Sequence, residues 1–510
     1  MMSPISRRDF LKAAGLLPLG MGLAPLLHRV GPTRAAAGNG ANVLVVVFDA
    51  FSAFHLPYLG YRRETTPNID RLLGRAIVYH NHHAGGNFTT PGTASLLTGT
   101  LPWTHRAFQL NGTVTESFAH RTFFQALSGH YRFAYSHNPL VNTLLKQFRT
   151  DIDDFVPQTR LFLTADPLVH SVLSADEDIA DVGWTRTIKK EEEGFAYSLF
   201  MSELYKNYIH ARVEDVAQQF PRGIPSIRGD NFFLLEDAID WLQSEVTRLP
   251  QPFAGYIHLM PPHAPCSTHR DFYRAFAGDG YLAPAKPASP FSGAATEAEL
   301  DRQRIAYDEY ILYLDREFKR LFDYLDETGV LSNTWVVFTS DHGELFERGI
   351  RGHISPLLYQ PVVRVPLLIF EPGRTARLDV HAPTSAVDIL PTLLHLSGER
   401  PADWAEGRIL PPFAAEERDP ERDIFALHAK TNDPEQALTH ATAMLVRGRH
   451  KLMYFFGYEE LGAGVERVEL YDLQNDPEER HNLQTEQSAL GRELLNVLQG
   501  KLREVNAPYQ

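Results

Sequence analysis

The segment Asn42–Phe48 reads Asn-Val-Leu-Val-Val-Val-Phe and stops at Asp49. A β-branched run without polar alternation suits a strand buried on both faces, as at the centre of a parallel sheet. Three further apolar runs also stop at polar residues. Residues 253–260 precede Pro261-Pro262-His263, residues 334–340 run into Asp341-His342-Gly343, and residues 365–370 precede Glu371-Pro372-Gly373. Helical patterns fill the intervals at residues 234–249, 302–327 and 385–396. Strands alternating with helices predict an α/β fold with a largely parallel central sheet. In such sheets ligands collect beyond the carboxyl ends of the strands, which is where Asp49, His263 and Asp341-His342 would lie.

After a Pro-rich, charged stretch at residues 398–423, the pattern changes. Residues 442–446 and 451–455 flank Arg447-Gly448-Arg449-His450, a hairpin signature. A short strand over 468–473 and a terminal helix over 488–505 follow. The chain therefore divides into a catalytic domain, residues 38–400, and a smaller C-terminal α+β subdomain, residues 401–510. Residues 151–229 read as a helical excursion over the active-site face, and residues 277–295 as a surface loop.

The first 37 residues stand apart. Ser6-Arg7-Arg8-Asp9-Phe10-Leu11-Lys12, an apolar run over 13–27 and Ala35-Ala36-Ala37 have the form of a twin-arginine export signal with a small-residue cleavage site. The apolar run is short and rich in Gly and Pro, so no stable membrane span is expected after cleavage. The expected partner is the twin-arginine export machinery, and the expected location is the periplasm or the extracellular space. The formal net charge is -14 and cleavage makes the chain more acidic still, which disfavours nucleic acid as a partner. The single cysteine, Cys266, excludes an internal disulfide.

Chemistry concentrates in three places. Asp341-His342-Gly343-Glu344 offers a carboxylate and an imidazole from one turn, and Asp49 could add a second carboxylate, the donor types that Zn²⁺, Mn²⁺ or Mg²⁺ accept. Each could equally be a strand-end turn or cap. In Asn87-Phe88-Thr89-Thr90-Pro91-Gly92-Thr93-Ala94-Ser95-Leu96-Leu97-Thr98-Gly99, Pro91 suits a first helical turn and Gly99 its end. Thr89 then sits just before a helix N-terminus, where an anion is favoured. Its hydroxyl could attack phosphorus or sulfur, or simply cap the helix. His80, His82 and His83 are expected to face solvent, and Asp388 to cap a helix.

These segments, in this order, resemble the sulfatase branch of the alkaline phosphatase superfamily. Sulfatases carry Cys-x-Pro-Ser-Arg followed by a Leu-rich turn ending in Thr-Gly, and Thr89 to Gly99 has that frame. Thr66-Pro67-Asn68-Ile69-Asp70-Arg71-Leu72, Pro262-His263-Ala264-Pro265, Ser340 to Glu344, Arg364-Val365-Pro366-Leu367, Val387 to Leu393 and Glu469 to Pro477 match further segments. The likeness extends from Asn42 to Leu483 with a gap at residues 151–229. It implies an alkaline-phosphatase-like three-layer sandwich.

The departures bear on chemistry. Sulfatases oxidise the motif cysteine to formylglycine, and Thr89 cannot become that aldehyde. Gly92 replaces the motif serine and Thr93 its arginine. Cys266 has Arg270 four positions on, but Thr268 stands where the modification motif wants proline. Threonine here resembles the relatives that act on phosphorus through a metal-bound threonine and a covalent phospho-enzyme. The resemblance implies that Asp49, Thr89, Asp341 and His342 hold one divalent metal ion (Mn, Zn, Mg or Ca). A second would need an Asp-x-x-x-His pair and another histidine. His263 and His353 would serve catalysis beside a substrate oxygen or the leaving group, and Arg348 and Arg351 are expected to be solvated loop charges. The implied activity is hydrolysis of a phosphate or phosphonate ester on a small-molecule, glycan or lipid substrate. A sulfuric ester hydrolase without formylglycine, a phosphotransferase and a non-catalytic binding protein remain alternatives.

Overall fold

The computed structural model describes residues 40–163, 207–208, 210–227, 229, 231–414, 419 and 421–509. The segment expected to be an export leader and most of the excursion expected over residues 151–229 lie outside them. In chain order the strands are β1 (Asn42–Phe48), β2 (Ile77–Tyr79), β3 (His82–His83), β4 (Tyr131–Ser136), β5 (Asp154–Phe155), β6 (Phe253–Leu259), β7 (Thr334–Thr339), β8 (Leu345–Glu347), β9 (Ile350–Gly352), β10 (Leu367–Phe370), β11 (Leu378–Val380), β12 (Thr384–Ser385), β13 (Ile424–His428), β14 (Ala441–Arg447), β15 (His450–Phe456) and β16 (Arg467–Asp472). The helices used below are α1 (Thr89–Thr98), α2 (Pro139–Gln147), α3 (Leu235–Val246), α4 (Glu297–Glu327), α5 (Ile389–Leu396) and α6 (Ser488–Asn506).

The main sheet has the order β11-β2-β10-β7-β1-β6-β4-β5. The apolar run at β1 is central, paired in parallel with β6 and β7. Its side chains alternate between two cores, which makes the layers visible residue by residue. Leu44, Val46 and Phe48 pack with Leu242 of α3 and Leu314 and Phe318 of α4. Val43, Val45 and Val47 pack with Leu97 of α1, Leu144 of α2 and Leu390 of α5. Each such side chain contributes roughly 1.5–3 kcal/mol on burial. The result is the expected helix–sheet–helix sandwich. Helix α4, 31 residues long, starts with a capping box between Thr296 and Glu299.

One strand runs against the others: β10 is antiparallel to both β7 and β2. Glu371, at its end, therefore lies on the rim opposite Asp49 and pairs with Arg374 at 2.6 Å. The chain enters β10 from the rim on which β1, β6 and β7 finish, and this places Arg364 there instead.

The histidine cluster differs from expectation. His82 and His83 are buried, because β3 pairs with β12 and the pair is covered on both sides. Only His80 reaches the surface, bound to Asp379 at 2.6 Å. The C-terminal sheet, β13-β14-β15-β16, is antiparallel throughout. Gly448 sits at φ +55° in its two-residue β14–β15 loop, a conformation such hairpins require. One face packs on Leu494 and Leu498 of α6 and the other on Leu357 and Tyr359. Among the described residues no helix is long and apolar enough to cross a membrane.

Candidate active site

Three adjacent strands deliver the centre of the site. Asp49 follows β1, Asp341 and His342 follow β7, and His258 is the penultimate residue of β6. All four are fully buried. The chain turns sharply after Asp49 at Ala50, a non-glycine residue at φ +59°. Such strain persists where surrounding bonds fix it. Here Tyr307 donates to the Ala50 carbonyl at 2.6 Å, and the Ala50 N–H donates to Asp341 Oδ1 at 3.3 Å.

Each carboxylate has one satisfied oxygen and one orphan. Asp49 Oδ2 takes bonds from Asn138 Nδ2 at 2.5 Å and His258 Nε2 at 3.1 Å. Asp341 Oδ1 takes bonds from the His342 N–H at 3.0 Å and from Ala50. Asp49 Oδ1 and Asp341 Oδ2 are buried without a hydrogen-bond partner. Both lie 3.5 Å from His342 Nε2. His342 Nδ1 donates to the Gly343 carbonyl at 2.8 Å, so Nε2 presents its lone pair to the same point. Thr89 Oγ1 lies 3.4 Å from that nitrogen and 3.4 Å from Asn138 Nδ2.

Two buried orphaned carboxylate oxygens facing an imidazole lone pair are costly unless a cation joins them. The donor set Asp49, Asp341 and His342 fits a divalent cation, and Thr89 Oγ1 borders the same point. The charges agree. Burial alone would raise the Asp49 carboxyl, but the imidazoles of His263, His258 and His342 hold it below the usual carboxylate range. Burial and the neighbouring Asp49 raise the Asp341 carboxyl. Burial lowers the pKa of the His342 imidazole, which favours the neutral form that a ligand needs. Burial opposes charge on His258 as well, yet Asp341 and Asp49 outweigh it and raise its pKa.

Thr89 is the first residue of α1 rather than the residue before it, and Phe88 occupies the cap position. Neither threonine caps the helix: Thr90 donates to the Leu110 carbonyl at 2.6 Å, and Thr89 faces the carboxylates' partners described above. The motif's missing serine has a steric reason. A Cβ on Gly92 would lie 2.2 Å from the Asp341 carbonyl oxygen. Thr93, where the motif carries arginine, is buried.

His263 and His353 come together beside His342. The His353 ring is 4.3 Å from that of His342 and 5.0 Å from that of His263. His353 Nδ1 lies 3.1 Å from Glu344 Oε1, and His263 Nδ1 lies 2.6 Å from the Ala264 carbonyl, which leaves each Nε2 free of these contacts. Burial opposes ionisation of Glu344, but His353 holds its pKa low. Cys266 sits nearby with its thiol pushed up to about 12 by burial. Arg348 is not a solvated loop charge: it is buried, stacks 3.9 Å from the Tyr359 ring and donates to the Glu479 carbonyl at 2.8 Å. Arg351 is exposed.

Sequence reasoning did not select Asn138, His258 or Glu344 as site residues. His258 had a signal, since an imidazole interrupts an otherwise apolar run one residue from the end of β6. Asn138 looks like an ordinary helix cap before Pro139, and it is one: its Oδ1 accepts from the Leu140 N–H at 2.8 Å. That bond turns its amide nitrogen toward Asp49.

The chain is similar to known proteins over most of its length. The sulfatase family model matches residues 41–155 and 182–399, and the model for the C-terminal region of N-sulphoglucosamine sulphohydrolase matches residues 355–507. The multifunctional alkaline phosphatase superfamily protein PehA of Trinickia caryophylli is 26% identical over 503 residues, covering 87% of this chain and 91% of its own. A choline-sulfatase of Rhizobium meliloti is 24% identical, covering 87% and 82%. Among solved structures, the phosphonate monoester hydrolase of Agrobacterium radiobacter shares the fold with a TM-score of 0.64 at 20% identity, covering 92% of this chain and 96% of that one. The chain belongs to the sulfatase family, whose enzymes are metal-dependent, and is an ester hydrolase built on that fold.

Proposed function

We propose that this protein cleaves a phosphate or phosphonate ester with Thr89 as nucleophile. The observation that carries the proposal is the placement of Thr89 Oγ1, at the first residue of α1, 3.4 Å from both His342 Nε2 and Asn138 Nδ2. A cation held by Asp49, Asp341 and His342 would supply Lewis-acid polarisation and ease ionisation of the hydroxyl. Thr89 Oγ1 attacks phosphorus as its hydroxyl proton passes to the free Nε2 of His353 or His263, and the P–O bond to the ester oxygen breaks. His353, oriented by Glu344, or His263 delivers the proton that the leaving oxygen needs. Water then attacks the phosphothreonine: its hydroxyl bonds to phosphorus, the bond to Thr89 Oγ1 breaks, and the remaining proton restores the Thr89 hydroxyl. Asn138 Nδ2 stabilises the oxygen of Thr89 whenever it carries negative charge. A threonine in place of the motif cysteine argues against formylglycine chemistry and supports phosphorus as the reacting centre.

The proposed setting is the periplasm or the extracellular space, reached by the twin-arginine route. The support is the Arg7-Arg8 leader and its Ala35-Ala36-Ala37 site. A reporter fused to residues 1–37 should be exported, and export should fail with Arg7→Lys/Arg8→Lys.

The catalytic test is an assay of the mature, Mn²⁺- or Zn²⁺-loaded enzyme on aryl phosphate mono- and diesters, an aryl phosphonate monoester and an aryl sulfate. Phosphorus esters should turn over, and Thr89→Ala should lower kcat by about 10³-fold or more. Turnover that survives Thr89→Ala removes the nucleophile, and turnover of the sulfate alone removes the substrate class.

A further inference from the structure

A cavity of about 850 Å³ lies at the β11 edge of the main sheet, between that edge and loops of the C-terminal sheet. Asn81, His381 and Arg364 place it on the rim that carries the active site, because β2 and β11 end there and antiparallel β10 begins there. None of Asp49, Thr89, His263, Asp341, His342 or His353 lines it. It is therefore a separate chamber.

Arg364 gives the chamber its chemistry. It belongs to the Arg-Val-Pro-Leu segment, which the catalytic geometry does not use. Nε and Nη2 of Arg364 both donate to the His80 carbonyl, at 3.0 and 2.7 Å. Burial works against its charge. Among the described residues this largely enclosed guanidinium has one neutral acceptor and the Phe54 ring, 5.7 Å away, but no carboxylate, and a cation in such a place is costly.

The other wall charges do not supply the missing partner. Asp379 is taken by Arg377, at 2.7 to 3.0 Å, and by His80. Arg449 lies 3.4 Å from Asp472. Glu421 is exposed, stands beside Gly448 on the β14–β15 hairpin and makes no ion pair with Arg364. Gln360, whose amide nitrogen is 3.5 Å from His83 Nε2, adds a neutral polar group to the wall.

We propose that this cavity binds an oxyanion group (sulfate, phosphate or carboxylate) on Arg364, at a site distinct from Thr89. A guanidinium suits such groups because its planar donors match two oxygens at once. The site would accept either a free ion or the anionic group of a sugar.

The test uses the mature, metal-loaded protein. Crystals soaked in selenate locate the ion by its anomalous signal, and thermal shifts with sodium sulfate, sodium phosphate and glucuronate report binding in solution. The proposal expects selenate within hydrogen-bond distance of the Arg364 guanidinium, and a stabilisation by at least one anion that persists in Thr89→Ala. The inorganic and glucuronate arms separate a free ion from a sugar-borne group. Arg364→Lys, which keeps the charge but loses the planar fork, should weaken that binding by about tenfold or more. Arg364→Met should abolish it. If neither Arg364 variant folds, Gln360→Ala and the selenate position in the parent decide the matter. Selenate only beside Thr89, selenate at Arg364 without any stabilisation in solution, or stabilisation unchanged in a folded Arg364 variant would each overturn the proposal.

Discussion

Asn138 Nδ2 donates to Asp49 Oδ2 at 2.5 Å, and Oδ1 of the same carboxylate has no hydrogen-bond partner. The first fact explains the second: with Oδ2 held by Asn138 and His258, only Oδ1 is presented to a cation. Outer partners of this kind set the orientation of metal ligands, and losing one typically costs 10- to 100-fold in metal affinity. Asn138→Ala should therefore weaken metal binding by about that factor, measured by competition with a chelating dye. Asn138→Asp should do worse, since it sets a third acid against Asp49 and Asp341. An Asn138→Ala enzyme with unaltered metal affinity would remove Asn138 from the site.

Gly92→Ser restores the family's own residue and should nonetheless do damage. Its Cβ would meet the Asp341 carbonyl oxygen, 2.2 Å away, and backbone cannot yield as a flexible side chain can. Overpacking of this kind costs about 1–3 kcal/mol, and here the displaced atom belongs to a residue of the candidate metal site. The expected outcome is a lower urea midpoint together with a weaker metal site. A Gly92→Ser enzyme of normal stability would show that α1 sits further from Asp341.

The contrast between Gly92 and His258 marks what was legible in the sequence. The unbroken apolar run at β1 announced a strand buried on both sides, and Asp49 and Asp341-His342 at strand ends announced where ligands gather. Those patterns are local, so they survive without coordinates. His258 and Asn138 matter because β6 lies beside β1 and β4 beside β6, and that adjacency is non-local. His82 and His83 misled for the same reason: a polar His-x-His-His string reads as surface until β12, some three hundred residues later, pairs with it. The reversal of β10 was equally invisible, because an apolar run does not encode strand direction.

Buried neutral imidazoles should make the protein acid-labile. Burial holds His82, His83, His105 and His428 each at about 3, well under the ordinary imidazole value. The unfolded chain binds protons at these groups below about pH 6.5 while the folded chain does not, so their contribution is full above that pH and is lost as pH falls toward 3. Each imidazole contributes a slope of up to about 1.4 kcal/mol per pH unit. Urea unfolding between pH 5 and 8 should show stability falling steeply below pH 6.5. Comparing His428→Gln with the parent isolates one imidazole from the acid release of bound metal, and the variant should show a shallower slope. Equal slopes would mean that His428 is not buried in neutral form.

The C-terminal sheet should control metal binding through the pair Lys451–Glu479. Both side chains are fully buried, with Lys451 Nζ 2.6 Å from Glu479 Oε1 and 2.5 Å from the Leu358 carbonyl. Burial lowers the lysine's pKa and raises the glutamate's, so neither charge is stable there without the other. Glu479 Oε2 accepts from the Gln360 N–H at 2.6 Å. One and two residues on, the carbonyls of Pro361 and Val362 hold the N–H groups of Glu344 and Gly343 at 3.1 and 2.7 Å. A strap thus runs from the C-terminal sheet to the residues that follow His342. Lys451→Met alone leaves a buried carboxylate unpaired and should cost about 3–5 kcal/mol. Lys451→Met/Glu479→Gln removes both charges but keeps an acceptor for Gln360, and should recover most of that loss. If the strap positions His342, metal affinity should fall in the single variant and return in the double. Stability that falls and recovers while metal affinity never moves would show that the two ends of the strap are mechanically independent.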